Sequence, residues 1–593
     1  MKNHLRFTIY DLRFFGFKNY RSRLVAIFNR FDFNYILIAL VAAFFYLPFL
    51  GNVHLFDWDE INFAECAREA IATKNYMRLQ IDYAPFWEKP PLYIWLQILS
   101  MRLFGLNEYA ARFPDAVCGI VSLLSVYHIG KSLRGVRMGL LWAMCLGCSI
   151  LPFLYFKSGI IDPWFNLFIF LSIVYFIEAE KNVSLWNEKL IIAGIFCGLA
   201  ILTKGPVGYL LIALTWFFKS AISYQLSAIS YQQIKNNKQK EDSSFIIHHS
   251  SFDLILSSLK RFIFFSLIAV VTALTWFGAD ILMNGSWFVK TFIEYNLRLA
   301  KTEDAGHGGF LGYHFVVILI GCFPMSVFGI GAFFKEKFPF SKLNNFERWM
   351  KTLFLVVIIL FSLVQSKIVH YSSLCYLPLS FLSASVLYNE KLKTKNEKYF
   401  SFFVFSFSLI IGGLLAVVTI LLPFVGQHTD ILKPFFKKDI FAQANLEAHV
   451  YWSGWESLCG FFLIIILWQF FKKGEAEKKN FLNRRILILF IGTAIFVQSV
   501  LILFVPNIEA YSQRAAIEFY ESKSNENCTI ETYGFKSYAH LFYAQKKQML
   551  DDVKKYHPRY IVGKIQNKQE LDKRNDLEFL YSKNGFIFYT FNK

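Results

Sequence analysis

The sequence predicts an α-helical polytopic membrane protein with about 13 transmembrane helices and a small C-terminal α/β domain outside the bilayer. Three observations carry that prediction. Of 593 residues, 55% are hydrophobic and 18% charged, against roughly 45–50% and 25% in ordinary soluble domains. Apolar runs of about 20 residues, the length that crosses a bilayer, recur along most of the chain. Beyond residue 505 the composition changes to mixed charge and short alternating stretches such as CTIETYGF, RYIVGKI and GFIFYTF, the pattern of half-buried strands. A soluble enzyme, a disordered chain and a disulfide scaffold are excluded.

The elements follow in order. Residues 1–32 form a basic N-terminus, with seven Lys/Arg and a single acid in its first 30 residues. The first apolar run follows as a true span, so no cleavable signal peptide is read. The spans are expected at 33–50, 113–130, 138–155, 163–178, 190–203, 206–218, 262–282, 313–334, 352–366, 371–388, 400–424, 456–471 and 486–505. The stretch Pro91–Gly105 is too short to cross and holds Arg102, so it is assigned to the interface.

Charge sets the orientation. With Pro91–Gly105 uncrossed, the loops assigned inside carry 33 Lys/Arg and the short outer segments 15, with the remaining 14 in the tail. That asymmetry obeys the positive-inside rule, from which long translocated segments are exempt. Residues 51–112, residues 283–312 and the domain 506–593 then face outward. Residues 219–261, rich in Gln, Ser, Asn and Lys, read as a cytoplasmic linker, and 391–505 as a C-terminal group of helices. The net charge of +19 is explained by these loops rather than by nucleic acid. Nine cysteines are scattered singly, and Cys145 and Cys148 lie mid-span, where they pack as small apolar groups.

Charges at a membrane edge are costly and mark candidate sites. The densest group lies in HLFDWDEINFAECAREA, where Asp57, Asp59 and Glu60 fall within four residues. A helix beginning near Asp59 stabilises carboxylates at its N-terminus and puts Glu65 and Glu69 on one face, with Arg68 beside them. Helix capping and solvated charge form the plainer reading. In PFWEKPPLYIW, Glu88 and Lys89 sit between aromatics and a stiff Pro pair; a snorkelling lysine is the alternative. Asp162 in KSGIIDPWF begins a span, where Asp before Pro also suits a turn. Lys204 in GLAILTKGPVGYLL and Lys367 in SKIVHYSSLCYLP stand at outer ends of spans, and Arg298 and His307 in the second outer loop. Carboxylates and bases thus gather on one face. They suit a site that holds a phosphorylated lipid and deprotonates an acceptor hydroxyl.

These motifs resemble the polyprenyl-phosphate-sugar-dependent glycosyltransferases of the GT-C fold, in particular the lipid A aminoarabinose transferases and the protein O-mannosyltransferases of glycosyltransferase family 39. The resemblance covers roughly residues 33–390. The acidic element is matched by Asp59, Glu60, Phe63, Ala64, Glu65, Arg68 and Glu69, and the EKP element by Glu88, Lys89 and Pro90. Phe104-Gly105 with Arg112-Phe113-Pro114, Ile161-Asp162-Pro163, Leu202 to Gly205, and Ser366, Lys367, Tyr371 and Pro378 follow in order. Two positions depart from the aminoarabinose transferases. Asn62 stands where they carry Arg, and Tyr295 where they carry His.

The resemblance implies a catalytic transmembrane module over 33–390, in a bacterial inner membrane, with the site and the C-terminal domain facing the periplasm. The donor is a polyprenyl-phosphate-linked sugar drawn from the bilayer, and the acceptor a lipid such as lipid A, a protein or a glycan. Asp59 is the expected general base, helped by Glu60 or Asp162. Lys89, Lys204, Arg298 and Lys367 are expected to neutralise the leaving phosphate, with Asp57, Glu65, Arg68, Glu88, His307 and Tyr371 in support. One displacement would invert the sugar. Asp57 and Asp59 offer hard oxygen ligands for Mg²⁺ or Mn²⁺, although the basic residues make a metal unnecessary. A lipid-linked oligosaccharide ligase or polymerase, and a transporter, are the competing classes; the absence of a repeat argues against transport.

Overall fold

The computed structural model describes residues 32–182, 184, 186–236, 241–301, 308–333, 344–389, 397–472, 479–547 and 558–592. Within them, the apolar stretches read from the sequence are helical. Six helices are long and apolar enough to cross a membrane by length and composition: Glu108–Arg134, Asp162–Ala179, Val207–Gln225, Leu256–Asn284, Phe402–Gln427 and Arg484–Ser512. The remaining stretches form shorter or interrupted helices.

Two of the expected spans are broken. Residues 138–155 divide into Val136–Gly147 and Ile150–Tyr155, and residues 313–334 into Tyr313–Gly321 and Met325–Gly331. The breaks face each other, because the Ile150 amide donates to the Phe323 carbonyl at 3.0 Å. Backbone groups freed inside a membrane must find such partners. Elsewhere helices approach closely. A methyl group added at Gly194 or Gly198 would lie 2.6 or 2.4 Å from Ile268 or Thr272 on Leu256–Asn284, the close contact that small residues allow between membrane helices.

The linker expected at 219–261 is instead helical over most of its length, as helices Val207–Asn236 and Glu241–Asn284 run into it. The segment contains neither Gly nor Pro, and its polar residues are compatible with helix.

The outer segment 51–112 contains helix Asp59–Thr73, a hairpin of β1 (Gln80–Ile81) and β2 (Ala84–Pro85), and helix Leu92–Phe104. The last is about 20 Å long at 1.5 Å per residue, short of a bilayer core. It exposes Leu99, Leu103 and Phe104, while Arg102 hydrogen-bonds Tyr76.

The tail forms a four-stranded sheet of β3 (Thr529–Tyr533), β4 (Arg559–Lys564), β5 (Leu577–Lys583) and β6 (Phe586–Phe591), in the order β3-β4-β6-β5. Only the β3–β4 pair is parallel. This domain does not hang free. One hydrophobic core joins Phe63, Ala67 and Tyr93 of the outer segment to Phe519, Tyr543 and Phe588 of the tail. Two polar contacts pin the chain just ahead of the acidic motif. The Leu55 amide donates to the Tyr543 hydroxyl at 2.7 Å, and the Gln513 amide group donates to the Leu55 carbonyl at 2.9 Å.

Candidate active site

Two cavities meet beneath the outer segment, and their linings differ in chemistry. The larger, of about 610 Å³, is walled by apolar side chains including Val207, Leu211, Phe292, Leu297, Leu360 and Phe361. Its polar groups include Lys89, Asp162, Lys204 and His370. The smaller, of about 310 Å³, is lined by Asp57, Trp58, Asp59, Arg112, Tyr155 and Ser158 among others, and again by His370. Among the described residues, His370 lines both.

Local sequence explains how the polar end of the larger cavity is built. Asp162 opens helix Asp162–Ala179, where Pro163 suits the first turn and the helix N-terminus favours a carboxylate. Lys204 ends helix Glu188–Lys204, which stops at Gly205 with φ of 87°. An added Cβ at Gly205 would stand 2.3 Å from the Phe292 ring, so both backbone and packing demand glycine. The two helix ends bring Lys204 Nζ within 2.7 Å of Asp162 Oδ1. The ammonium also lies over the Phe165 and Tyr371 rings, at 5.7 and 5.9 Å from their centroids. Ser373 Oγ stands 3.4 Å from the same Asp162 oxygen but donates its proton to the His370 carbonyl at 2.6 Å, and Asn166 donates to Ser373 at 2.8 Å. Asp162 Oδ2 is buried and, among the described residues, accepts no hydrogen bond.

Lys89 completes this end. Its burial depresses the ammonium pKa, the nearby charges of Asp59 and Glu88 partly restore it, and Lys204 lowers it further. Its amine lies 5.5 Å from the centroid of Tyr295, which in turn packs edge-on against Trp87 at 5.1 Å. The departure from His to Tyr295 therefore puts an aromatic wall beside Lys89.

Across His370, Asp59 lines the smaller cavity. Its Oδ2 lies 3.7 Å from His370 Nε2, and its side chain is 30% exposed. Asp57 lines the same cavity but is engaged by the C-terminal domain. Partial removal from water pushes its carboxyl from 3.8 to about 6, against a hydrogen bond from Ser537 and the charge of Lys564 that pull it down. Asp57 and Asp59 both line this cavity. Among the described residues, no three His, Cys, Asp or Glu side chains gather as a metal would require.

Several expected site residues have other duties. Glu60, expected to assist catalysis, has both oxygens occupied. It accepts from Arg112 Nε at 2.9 Å and Nη2 at 2.7 Å, from the Phe56 amide at 2.9 Å and from the Gly159 amide at 2.7 Å. Burial alone would raise its pKa, but the Arg112 charge and these donors hold it below the ordinary value. Glu60 is an anchor, and no lone pair is left for an acceptor proton. Lys367, expected to bind phosphate, instead caps helix Asn345–Leu363. Its amine donates to the carbonyls of Ser362 at 2.7 Å and of Val364, satisfying groups a helix end leaves open. Arg298 is exposed, 5.3 Å from the Tyr295 centroid. Its helix Trp287–Lys301 sends Phe292, Ile293, Asn296 and Leu297 to the larger cavity, while Arg298 lines neither cavity.

Glu65 and Arg68 form a buried two-bond pair at 2.6 and 2.7 Å, behind the site. Burial raises the Glu65 pKa well above its ordinary value despite Arg68, and Glu69 beside it adds to the rise. Glu69 accepts from the Tyr83 amide at 2.8 Å, so this cluster ties helix Asp59–Thr73 to the hairpin. Glu88 is half-buried and lines neither cavity. Tyr371 lines the larger cavity. His307 lies outside the described residues.

Sequence reasoning missed His370, Tyr155, Asn166 and Ser373, and did not anticipate the anchoring role of Arg112. His370 stood inside the SKIVHYSS stretch between two residues that were singled out. A histidine at the edge of an apolar run was the available signal. Asn166 and Ser373 carried none.

Comparison with known proteins accords with this geometry. A sequence model of the dolichyl-phosphate-mannose-protein mannosyltransferases matches residues 88–226. An undecaprenyl phosphate-alpha-4-amino-4-deoxy-L-arabinose arabinosyl transferase of Wigglesworthia glossinidia brevipalpis is 25% identical over 399 residues, 66% of this chain and 65% of that protein. The transferase of the same name from Aeromonas hydrophila is 25% identical over 431 residues, 72% of this chain and 71% of its own length. The chain thus matches less than two thirds of the Wigglesworthia protein. The crystal structure of ArnT from Cupriavidus metallidurans bound to undecaprenyl phosphate superposes with a TM-score of 0.69 at 14% identity, covering 94% of this chain and 97% of that one. The chain has the ArnT fold, and its ordered motifs are similar to those of the polyprenyl-phosphate-sugar-dependent glycosyltransferases of the GT-C type.

Proposed function

We propose that the chain is a membrane glycosyltransferase that moves a sugar from a polyprenyl-phosphate donor to an acceptor hydroxyl or phosphate. One observation carries the reading: an apolar cavity of about 610 Å³ ends in Lys89, Lys204 and Asp162, and adjoins the Asp59 cavity across a single histidine. A prenyl chain fits the apolar walls, and its phosphate fits the two lysines. A bound phosphate also restores the lowered pKa of Lys89, so donor binding and the charging of that lysine reinforce each other.

The sugar then lies between the lysines and Asp59. Asp59 takes the acceptor proton as the acceptor oxygen attacks the anomeric carbon. The bond to phosphate breaks, and Lys89 and Lys204 stabilise the charge that develops on the departing lipid phosphate. One displacement inverts the centre. The reaction needs no metal in this scheme. Relatives named as undecaprenyl phosphate-alpha-4-amino-4-deoxy-L-arabinose arabinosyl transferases support a pentose donor on a polyprenyl phosphate. Tyr295 and Asn62 stand at two departures from them, and Trp87 and Tyr295 give the sugar an aromatic neighbour. The charge asymmetry of the loops supports a site on the periplasmic face of a bacterial inner membrane.

The test is transfer by the full chain in lipid vesicles, offered a panel of polyprenyl-phosphate sugars, with release of free polyprenyl phosphate as readout. Release with one sugar, reduced about 10²–10⁴-fold in Asp59→Asn, is the expected result. Full activity of folded Asp59→Asn would remove Asp59 as base, and turnover only with diphosphate-linked glycans would identify a ligase instead.

A further inference from the structure

The wall shared by the two cavities is His370, on the turn Val369–Cys375 that follows the Lys367 cap. Its Nδ1 lies 3.0 Å from the Tyr155 hydroxyl and its Nε2 3.7 Å from Asp59 Oδ2. In the tautomer with Nδ1 unprotonated, the Tyr155 hydroxyl donates to it. The neutral ring then carries its own proton on Nε2, facing the carboxylate, because the partner of one ring nitrogen sets the state of the other. Tyr155 is itself held, its ring edge-on to Tyr376 at 5.4 Å. Asp59, by contrast, has no short hydrogen bond among the described residues, and the His370 ring stands 3.7 Å from its Oδ2. Glu60, the next residue, shows how differently this chain treats a carboxylate that it means to lock.

We infer that His370 is the positioning residue for Asp59. This rests on the proposed transfer reaction and adds what orients its base. With Tyr155 behind it, His370 fixes one oxygen of Asp59 and leaves the other for the acceptor hydroxyl. The acceptor proton passes to Asp59, and His370 keeps its own throughout. The present 3.7 Å separation shortens when substrates close the site, as hydrogen bonds at catalytic groups commonly do. The charged groups lining the two cavities with His370 are Lys89, Asp162 and Lys204 on one side and Asp57, Asp59, Glu60, Arg112 and Lys157 on the other, with Tyr155, Tyr209 and Tyr371 as the phenols. Tyr155 is the one in hydrogen-bond contact with the ring.

The experiment uses the full chain in vesicles with the donor sugar that the wild type turns over, and compares His370→Leu, His370→Gln, Tyr155→Phe, Asp59→Asn and the double variant Asp59→Asn/His370→Leu. His370→Leu is expected to lower kcat about 10- to 100-fold, the loss of one hydrogen bond to a charged group, with donor KM unchanged. His370→Gln, which keeps an N–H donor, restores most of the rate, and Tyr155→Phe falls between. The double variant is no slower than Asp59→Asn, because the histidine acts through that carboxylate. Wild-type kcat in His370→Leu, no rescue by Gln, or a double variant slower than Asp59→Asn overturns the inference while leaving the transfer reading in place. Should His370→Leu fail to fold, Tyr155→Phe decides, and a wild-type kcat there overturns it. A folded wild type that transfers no sugar overturns both.

Discussion

Glu60 and Arg112 are joined by two hydrogen bonds of 2.7 and 2.9 Å, 52 residues apart in sequence and nearly sealed from solvent. The remaining guanidinium protons go to the carbonyls of Leu50, Val53 and His54, and the remaining carboxylate lone pairs to Phe56 and Gly159. One pair therefore gathers the chain before Asp59, the start of its helix and the loop that leads to Asp162.

Breaking this pair from one side should be costly. Arg112→Leu leaves Glu60 charged and buried, at an expected cost of about 3–5 kcal/mol. Glu60→Gln, which keeps a carbonyl acceptor, should lose less. Thermal unfolding in detergent checks the order: wild type, then Glu60→Gln, then Arg112→Leu. Equal melting temperatures would assign the pair no structural weight.

The Lys204–Asp162 bridge should behave as a unit. Lys204→Met leaves Asp162 with a carboxylate already short of donors, so it is expected to weaken both folding and donor binding. The double variant Lys204→Met/Asp162→Asn removes the stranded charge. It should recover stability without recovering donor binding. Melting temperature and binding of polyprenyl phosphate, measured on the same preparations, separate the two effects.

Lys367→Met tests the reassignment of that lysine. Loss of its bonds to the helix carbonyls should destabilise the protein by about 1.5–3 kcal/mol, while donor KM stays at the wild-type value. A raised donor KM with unchanged stability would return Lys367 to the phosphate site.

The junction between the acidic motif and the tail should soften as pH rises. His54 Nδ1 lies 3.0 Å from Glu509 and Nε2 3.7 Å from Glu521. Burial lowers its pKa, but the Glu509 hydrogen bond and the charges of Glu509, Glu521 and Glu108 outweigh that and hold it above 6.5. A folded-state pKa above the unfolded one means that this stabilisation is complete below pH 6.5 and is lost as pH rises through the folded value. Melting temperature should fall from pH 6 to pH 8, and His54→Gln should flatten that segment. A parallel slope in the variant would place the effect elsewhere.

Much of this was legible before any coordinates. Hydropathy located the helices, and the motifs singled out Lys89, Asp162 and Lys204, which line one cavity, and Asp59, which lines the other. Sequence could not see which charges were already spent. Glu60 and Lys367 looked like Asp59 and Lys204 in composition and position, but a distant arginine and a helix end had claimed them. Interruption of the two apolar runs was visible in principle, because Gly147, Ser149 and Pro152 flank one break and Gly321 and Pro324 the other, but hydropathy alone passes over such residues. His370 was hidden for another reason. Its importance comes from standing between two voids, and voids are created by folding.

The partition at His370 also bears on how the two substrates are received. On the proposed reading, the lipid carrier and the acceptor occupy differently lined chambers that share one wall residue. Binding of one then need not remake the lining that receives the other.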